Sequence, residues 1–125
     1  MMKLQVGWIE IPVQDIQRAT AFYGALFDTK FDIIPQELRS ISVIASPPDA
    51  NVGVSLNQTA HFVPSNQGSF VSYAAGDQIE TLLARVEPAG GKIITRRGEL
   101  SVPKNYYASV QDTEGNVFGL VWAEA

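Results

Sequence analysis

Few side chains in this sequence have the type and spacing that catalysis or metal binding requires. The 125 residues include no cysteine and a single histidine, His61. A thiolate metal site, a cysteine nucleophile and a disulfide framework are therefore excluded. No glycine-rich phosphate loop or nucleophile elbow is present. His61 falls in a polar stretch between the two halves of the chain, where we expect a solvated loop residue.

Glu10 is the one charged residue in an apolar run from Leu4 to Val13. Side chains alternate across a strand, so if Ile9 and Ile11 pack on a helix, Trp8 and Glu10 face the opposite side. An apolar setting disfavours the charged form of a carboxyl group, and such a group could be a general base or could anchor a cationic or hydroxyl-bearing ligand. The alternative is a structural role, in which Glu10 pairs with an arginine or a backbone amide.

The elements that would position Glu10 follow from the apolar pattern. Asp15 after the strand is a good helix N-cap, because its carboxylate can accept the amide hydrogens left unpaired in the first turn. Apolar residues then recur at helical spacing from Ile16 to Phe27. Short β-like runs at 30–34, 41–45 and 52–56 complete the order β-α-β-β-β.

The second half of the chain repeats this order. Residues 70–75 predict a strand, and Asp77 predicts a helix cap that forms a capping-box pattern with Glu80. The following helix has an apolar face and ends at two glycines, and strands are predicted at 92–95, 106–111 and 117–122. Asp15 and Asp77 are 62 residues apart, about half the chain, which indicates an internal duplication. We interpret both aspartates, and Glu114 in the last turn, as structural.

Two segments resemble the vicinal oxygen chelate superfamily, which comprises glyoxalases, bleomycin-resistance proteins and extradiol dioxygenases. Trp8 to Asp15, followed by Arg18-Ala19 and Phe22-Tyr23, resembles the opening of its members, and Tyr107 to Leu120 resembles the terminal hairpin of a glyoxalase-like subgroup. The resemblance implies an α+β fold in which two tandem β-α-β-β-β modules form a curled mixed sheet around a cavity. We expect one domain over residues 1–125, with module one at about 1–57, a linker at about 58–68 and module two at about 69–125.

The resemblance also implies where a metal would be held. Members that use one typically place a histidine seven residues before the capping aspartate of each module and a glutamate in the last strand; here these positions are Trp8, Phe70 and Gly119. The matching strand of module one, residues 52–56, has no carboxylate or imidazole. An open catalytic site needs about three protein ligands, and the expected cavity offers only Glu10. We therefore expect no metal and no cofactor.

Strand alternation assigns the residues that would line the cavity. The expected ligand-binding residues are Trp8, Glu10, Phe70, Ser72, Gly119 and Val121, with Glu10 also the candidate catalytic residue. Tyr106 and Tyr107 are adjacent in a strand, so one faces inward and one outward, and the sequence leaves open which is which.

Three functions are compatible with this site. The first is a small-molecule-binding protein with a metal-independent aromatic cavity, of the bleomycin-resistance type. The second is a metal-free isomerase or lyase with Glu10 as general base, while a metal-dependent lyase or dioxygenase is disfavoured. The third is a dimeric interaction module whose cup is filled by its own side chains.

Composition limits the partners. Nine basic and 13 acidic residues give a net charge of −4, with no basic stripe of the kind that binds nucleic acid. No stretch approaches the roughly 18 apolar residues that cross a bilayer. We expect a cytoplasmic protein with a small-molecule ligand, no nucleic acid and no membrane, and the resemblance implies a homodimer.

Overall fold

Each half of the chain forms one four-stranded mixed sheet and one helix. A computed structural model describes residues 2–125. The first half contains β1 (Trp8–Pro12), α1 (Ile16–Phe27), β2 (Ile34–Pro35), β3 (Arg39–Ala45) and β4 (Gly53–Thr59). The second half contains β5 (Val71–Ala74), a 3-10 turn (Gly76–Gln78), α2 (Ile79–Val86), β6 (Lys92–Glu99), β7 (Asn105–Gln111) and β8 (Val117–Ala123). The predicted α+β fold with two β-α-β-β-β modules is confirmed.

The two sheets have the same strand order. The first sheet runs β1-β4-β3-β2 and the second runs β5-β8-β7-β6. In each, the first and last strands of the module pair in parallel and the remaining pairs are antiparallel. The sheets do not close into a barrel, so β1 and β5 remain edge strands with one neighbour each.

Both sheets bury one face in a single apolar core. Ile11 and Leu56 of the first sheet and Leu120 of the second belong to the same buried cluster as Leu26 of α1 and Leu83 of α2. The aromatic ring of Phe22 in α1 also contacts Phe118 in β8. Because both sheets face this shared core, their other faces point away from it; we call these the first outer face and the second outer face.

Strand lengths differ from the sequence prediction where a pairing partner is missing. The strand predicted from Leu4 begins at Trp8, because β4 begins at Gly53 and Gly53 is the register partner of Trp8. Residues 4–7 therefore have no strand beside them. The strand predicted at 30–34 is reduced to Ile34–Pro35, since only these two residues pair with β3.

The predicted caps have different outcomes in the two modules. Asp15 caps α1, with its Oδ1 accepting the amide of Arg18 at 3.0 Å. The prediction for Asp77 is wrong, because a 3-10 turn precedes α2 and its N-cap residue is Gln78, which makes no side-chain capping bond. The capping box predicted between Asp77 and Glu80 is therefore wrong as well, and Glu80 forms an ion pair with Arg96 instead. Gly76, at φ +56°, starts the turn that moves Asp77 away from the cap position.

No helix among the described residues is long and apolar enough to cross a membrane.

Candidate functional site

The first outer face carries an indole ring fixed flat against the sheet. Trp8 lies over Gly53, where an added Cβ would meet the ring at 2.2 Å, so only glycine allows this approach. The indole Nε1 donates to Ser55 Oγ at 3.1 Å. With its donor satisfied and one side covered, the ring is still 47% exposed. Trp8 therefore presents an open aromatic surface of fixed orientation.

Glu10 lies beside Trp8 on the same face and is ion-paired. Its Oε1 accepts from Arg39 Nη1 at 2.8 Å and from Asn57 Nδ2 at 3.3 Å. The expected apolar setting of Glu10 is therefore wrong, and the structural alternative, pairing with an arginine, is what the structure contains. The opposing arginine comes from β3, and a single sequence gives no signal that brings β3 to β1 through β4.

Asn57 and Ser55 are site residues that sequence reasoning missed. Both are buried polar residues on β4. Their alternation with Val54 and Leu56 was a usable signal, because a strand with polar residues on one face and apolar residues on the other has only one side in the core. The Asn57 Oδ1 atom is buried and has no hydrogen-bond partner within the described residues.

A cleft of about 540 Å³ runs along the free edge of β1. Its lining includes Trp8 and Glu10 of β1, Tyr23 of α1, Val71 of β5 and Val117 of β8, so both modules contribute to it. The linker between the modules contributes further lining residues, Phe62, Val63, Ser65, Gly68 and Ser69.

The second outer face repeats the aromatic arrangement without the ion pair. Phe70 lies over Gly119, where an added Cβ would meet its ring at 2.9 Å and Ser72 Oγ at 2.5 Å. Phe70 is 52% exposed. Val121 is on the same face as Gly119, two residues along β8. Within one chain the structure thus groups Phe70, Ser72, Gly119 and Val121 on one surface, and Trp8 with Glu10 on another.

The two adjacent tyrosines, which the sequence left open, are on opposite sides of β7. Tyr106 is the register partner of Trp122 and packs on its ring, with centroids 5.9 Å apart, so it faces the core. Tyr107 is the register partner of Val121, and its ring lies over Gly98 on the second outer face. His61 lies exposed in the loop between β4 and β5, as expected.

A buried polar cluster joins the modules, and sequence reasoning did not find it. The side chain of Glu114, in the β7–β8 turn, is fully buried, and it accepts the amides of Gln14 and Asp15 and the guanidinium of Arg18. Burial alone would raise the pKa of Glu114, but hydrogen bonds from Arg18 and from the two amides lower it below its usual value. Glu114 therefore supports the start of α1 from the other module.

Asp112 is the second carboxylate of this cluster. Tyr23 donates its hydroxyl to Asp112 Oδ2 at 2.6 Å, and the amides of Glu114 and Asn116 donate to Oδ1. Burial raises the pKa of Asp112 despite these bonds, and burial followed by the nearby Asp112 charge raises the pKa of Tyr23. Every contact of Asp112 serves the turn or α1, so this carboxylate has a structural role.

The positions that would hold a metal in this fold do not fit one. The structure places the indole of Trp8 over β4 and the ring of Phe70 directly over Gly119, so aromatic carbon occupies the space where ligand atoms would converge. Among residues 2–125 no group of three histidine, cysteine, aspartate or glutamate side chains is close enough to bind an ion.

Comparison with solved structures identifies the fold. The chain superimposes on a domain described as glyoxylase/bleomycin resistance protein/dioxygenase from Frankia sp. EAN1pec with a TM-score of 0.73 and 14% identity, covering 98% of this chain and 94% of that one. A glyoxalase/bleomycin resistance protein from Albidiferax ferrireducens T118 superimposes with a TM-score of 0.69 and 19% identity, covering 94% of this chain and 98% of that one. A hypothetical protein from S. aureus superimposes with a TM-score of 0.71 and 22% identity, covering 98% of this chain and 96% of that one.

No family model and no curated protein matches the sequence. At these identities the likeness concerns the fold, and this chain has the fold of the glyoxalase/bleomycin-resistance/dioxygenase proteins.

Proposed function

We propose that this protein binds a small organic molecule on its aromatic outer faces without a metal ion, in the manner expected of the bleomycin-resistance type. The observation that carries the proposal is the exposure of Trp8 and Phe70, each held flat over glycine at equivalent positions of the two modules. Large aromatic side chains usually bury most of their surface, and here two of them are exposed at equivalent positions. Two exposed rings on equivalent surfaces suit stacking on a planar ligand.

A fluorescence experiment tests this proposal. Trp122 is 8% exposed and Trp8 is 47% exposed, so Trp122→Phe leaves a single, accessible reporter. We expect planar compounds from a metabolite library to quench Trp8 in buffer with EDTA. Trp8→Ala lacks the reporter, so its binding is measured by isothermal titration calorimetry, and we expect it to be weaker by at least about tenfold. Phe31→Ala, outside the cleft and partly buried against the core, is the matched control for loss of an aromatic side chain. Binding that requires a stoichiometric divalent ion would contradict the proposal.

A second copy of the chain is part of the proposal. β1 and β5 are open edges, and the two aromatic faces both point away from the shared core. In a homodimer the first outer face of one copy can meet the second outer face of the other, which combines Trp8 and Glu10 with Phe70 and Ser72 in one cup. Open strand edges favour such association.

Sedimentation tests the homodimer. We expect a mass of two chains for the wild type and of one chain for Phe70→Asp, because an unpaired charge would be buried between the faces. Thr81→Asp, on the exposed side of α2, introduces the same charge away from both faces and should leave the dimer intact. A monomeric wild type would contradict this part of the proposal.

The alternative function is a metal-free isomerase or lyase in which Glu10 moves a proton. One observation favours it: within the described residues, Glu10 Oε2 accepts no hydrogen bond, although Oε1 accepts two. The ion pair with Arg39 opposes it, because Glu10 Oε1 already accepts from Arg39 and Asn57. If Glu10 is a base, a bound carbonyl compound should exchange an adjacent proton with D₂O by NMR, and Glu10→Gln should abolish exchange while binding persists.

A further inference from the structure

We infer that the first outer face recognises a neutral planar ligand that carries an N–H donor beside a carbonyl acceptor, as cyclic amides, ureides and lactam heterocycles do. The inference rests on the proposed function and names its ligand class. It comes from the hydrogen-bonding groups that surround Trp8 and that remain unused within the described part of the chain.

Trp8 contributes a surface for stacking and no hydrogen bond. Its Nε1 hydrogen is already donated to Ser55, and Gly53 covers the inner side of the ring. A ligand can therefore reach only the outer π-face, which favours a flat, conjugated ring system. Glu10 is two residues along the same strand, so its Cα atom is about 7 Å from that of Trp8 and its side chain is on the same face.

Glu10 and Arg39 together present one free acceptor and one free donor. Glu10 uses Oε1 for both of its hydrogen bonds, and Oε2 makes none with residues 2–125. Arg39 uses Nε for Gln36 at 2.8 Å and Nη1 for Glu10 at 2.8 Å, and within the same residues Nη2 makes none. The unused acceptor and the unused donor therefore belong to two side chains that the ion pair joins through Oε1 and Nη1.

The charges of this pair select against ionic ligands. A ligand carboxylate at the unused Arg39 donor would lie beside the like charge of Glu10, and a ligand cation at the unused Glu10 acceptor would lie beside the like charge of Arg39. A neutral N–H donates to Glu10 Oε2 while its neighbouring carbonyl accepts from Arg39 Nη2, and the ion pair is kept. Both new bonds involve a charged partner, which makes them stronger than bonds between neutral groups.

The second outer face lacks this pattern. Its strand residues equivalent to Trp8 and Glu10 are Phe70 and Ser72, and the described side chains around Gly119 include no ion pair. The donor–acceptor selection is therefore a property of module one alone, whichever copy of module two covers it.

Four bicyclic probes of similar size test the inference against the Trp122→Phe protein. They are 2-quinolone, which has the N–H beside a carbonyl, N-methyl-2-quinolone, which lacks the donor, quinoline-2-carboxylate, which is anionic, and N-methylquinolinium, which is cationic. We expect 2-quinolone to quench Trp8 with an affinity about tenfold higher than each of the others. The combined variant Glu10→Ala with Arg39→Ala should remove this preference and leave stacking of all four.

A matched control and the contrary outcomes separate the inference from the proposed function. Glu80→Ala with Arg96→Ala removes another exposed ion pair, on α2 and β6, and should leave the preference unchanged. If all four probes quench Trp8 equally, or a charged probe binds best, the inference is overturned while the proposed function stands. If none quenches Trp8 at millimolar concentration, both are overturned.

Discussion

The two modules have one backbone plan and differ in how each helix begins. The start of α1 is supported by three side chains, with Asp15 accepting from Arg18, Gln58 from Ile16, and Glu114 from Gln14 and Asp15. The start of α2 has no side-chain capping bond and is entered through a 3-10 turn. Helix α1 is thus held by distant groups, whereas α2 depends on its apolar face.

The outer faces of the modules also differ, and again module one has the larger number of polar side-chain contacts. Module one surrounds Trp8 with hydrogen bonds and an ion pair, whereas module two places Phe70 on Gly119 beside Ser72 with no charge. The duplicated strands fix where a ring can lie, and the side chains at two or three positions decide what that ring can recognise. Matched substitutions in the two modules therefore test whether these differences affect stability.

The largest expected difference concerns Glu114. We expect Glu114→Gln to lower the free energy of unfolding by about 2 kcal/mol, because a buried charge partner of Arg18 is lost while solvent screening at the half-exposed Arg18 keeps the cost below that of a fully buried pair. Glu80→Gln removes the exposed acidic partner in module two and should have no measurable effect. Urea denaturation at neutral pH measures both, and equal losses would contradict the asymmetry.

The stabilising effect of Glu114 should also depend on pH. The pKa of Glu114 in the folded protein is lowered from its ordinary value, so its stabilisation is present above the unfolded pKa and is lost as the pH falls through the folded pKa. We expect the wild type to lose stability more steeply than Glu114→Gln as the pH falls below about 4.5, the ordinary pKa of a glutamate. The difference between the two proteins isolates Glu114 from other carboxyl groups, and parallel pH curves would exclude this role.

Two buried tyrosines offer the next contrast. Tyr23→Phe removes a hydroxyl that donates to the buried carboxylate of Asp112, and we expect a loss of about 1–2 kcal/mol. Tyr73 also has a buried hydroxyl, and burial raises its pKa, but the hydroxyl makes no hydrogen bond within the described residues. Tyr73→Phe should therefore be neutral or stabilising. Thermal denaturation measures the stability of both variants. A large loss of stability for Tyr73→Phe would show that this hydroxyl has a hydrogen-bond partner.

The helix caps give the smallest effect. Asp15→Ala should cost about 1 kcal/mol, the usual value of a lost N-cap. Asp77→Ala should stay within about 0.5 kcal/mol, because Asp77 caps no helix. Chemical denaturation of the two variants in parallel measures the difference, and a similar cost for both would restore the sequence prediction for Asp77.

Local sequence signals determined the order of the elements. Periodicity placed the buried face of α1 and of α2, and strand alternation placed Ile11 in the core with Trp8 and Glu10 opposite. These patterns are readable because they arise between residues close in the chain. The α+β fold with two modules followed from the repetition of such patterns at an offset of 62 residues.

The tertiary structure alone decided the surroundings of each chemical group. Glu10 was expected in an apolar cup, but Arg39, 29 residues away, neutralises it through strand pairing. Glu114 was interpreted as a turn residue, but its side chain supports a helix 96 to 100 residues earlier. Local sequence patterns were thus enough to predict on which face of a strand or helix each side chain lies. The partners of those side chains depend on which strands and turns the fold brings together, because electrostatic and hydrogen-bond partners are set by distance in space.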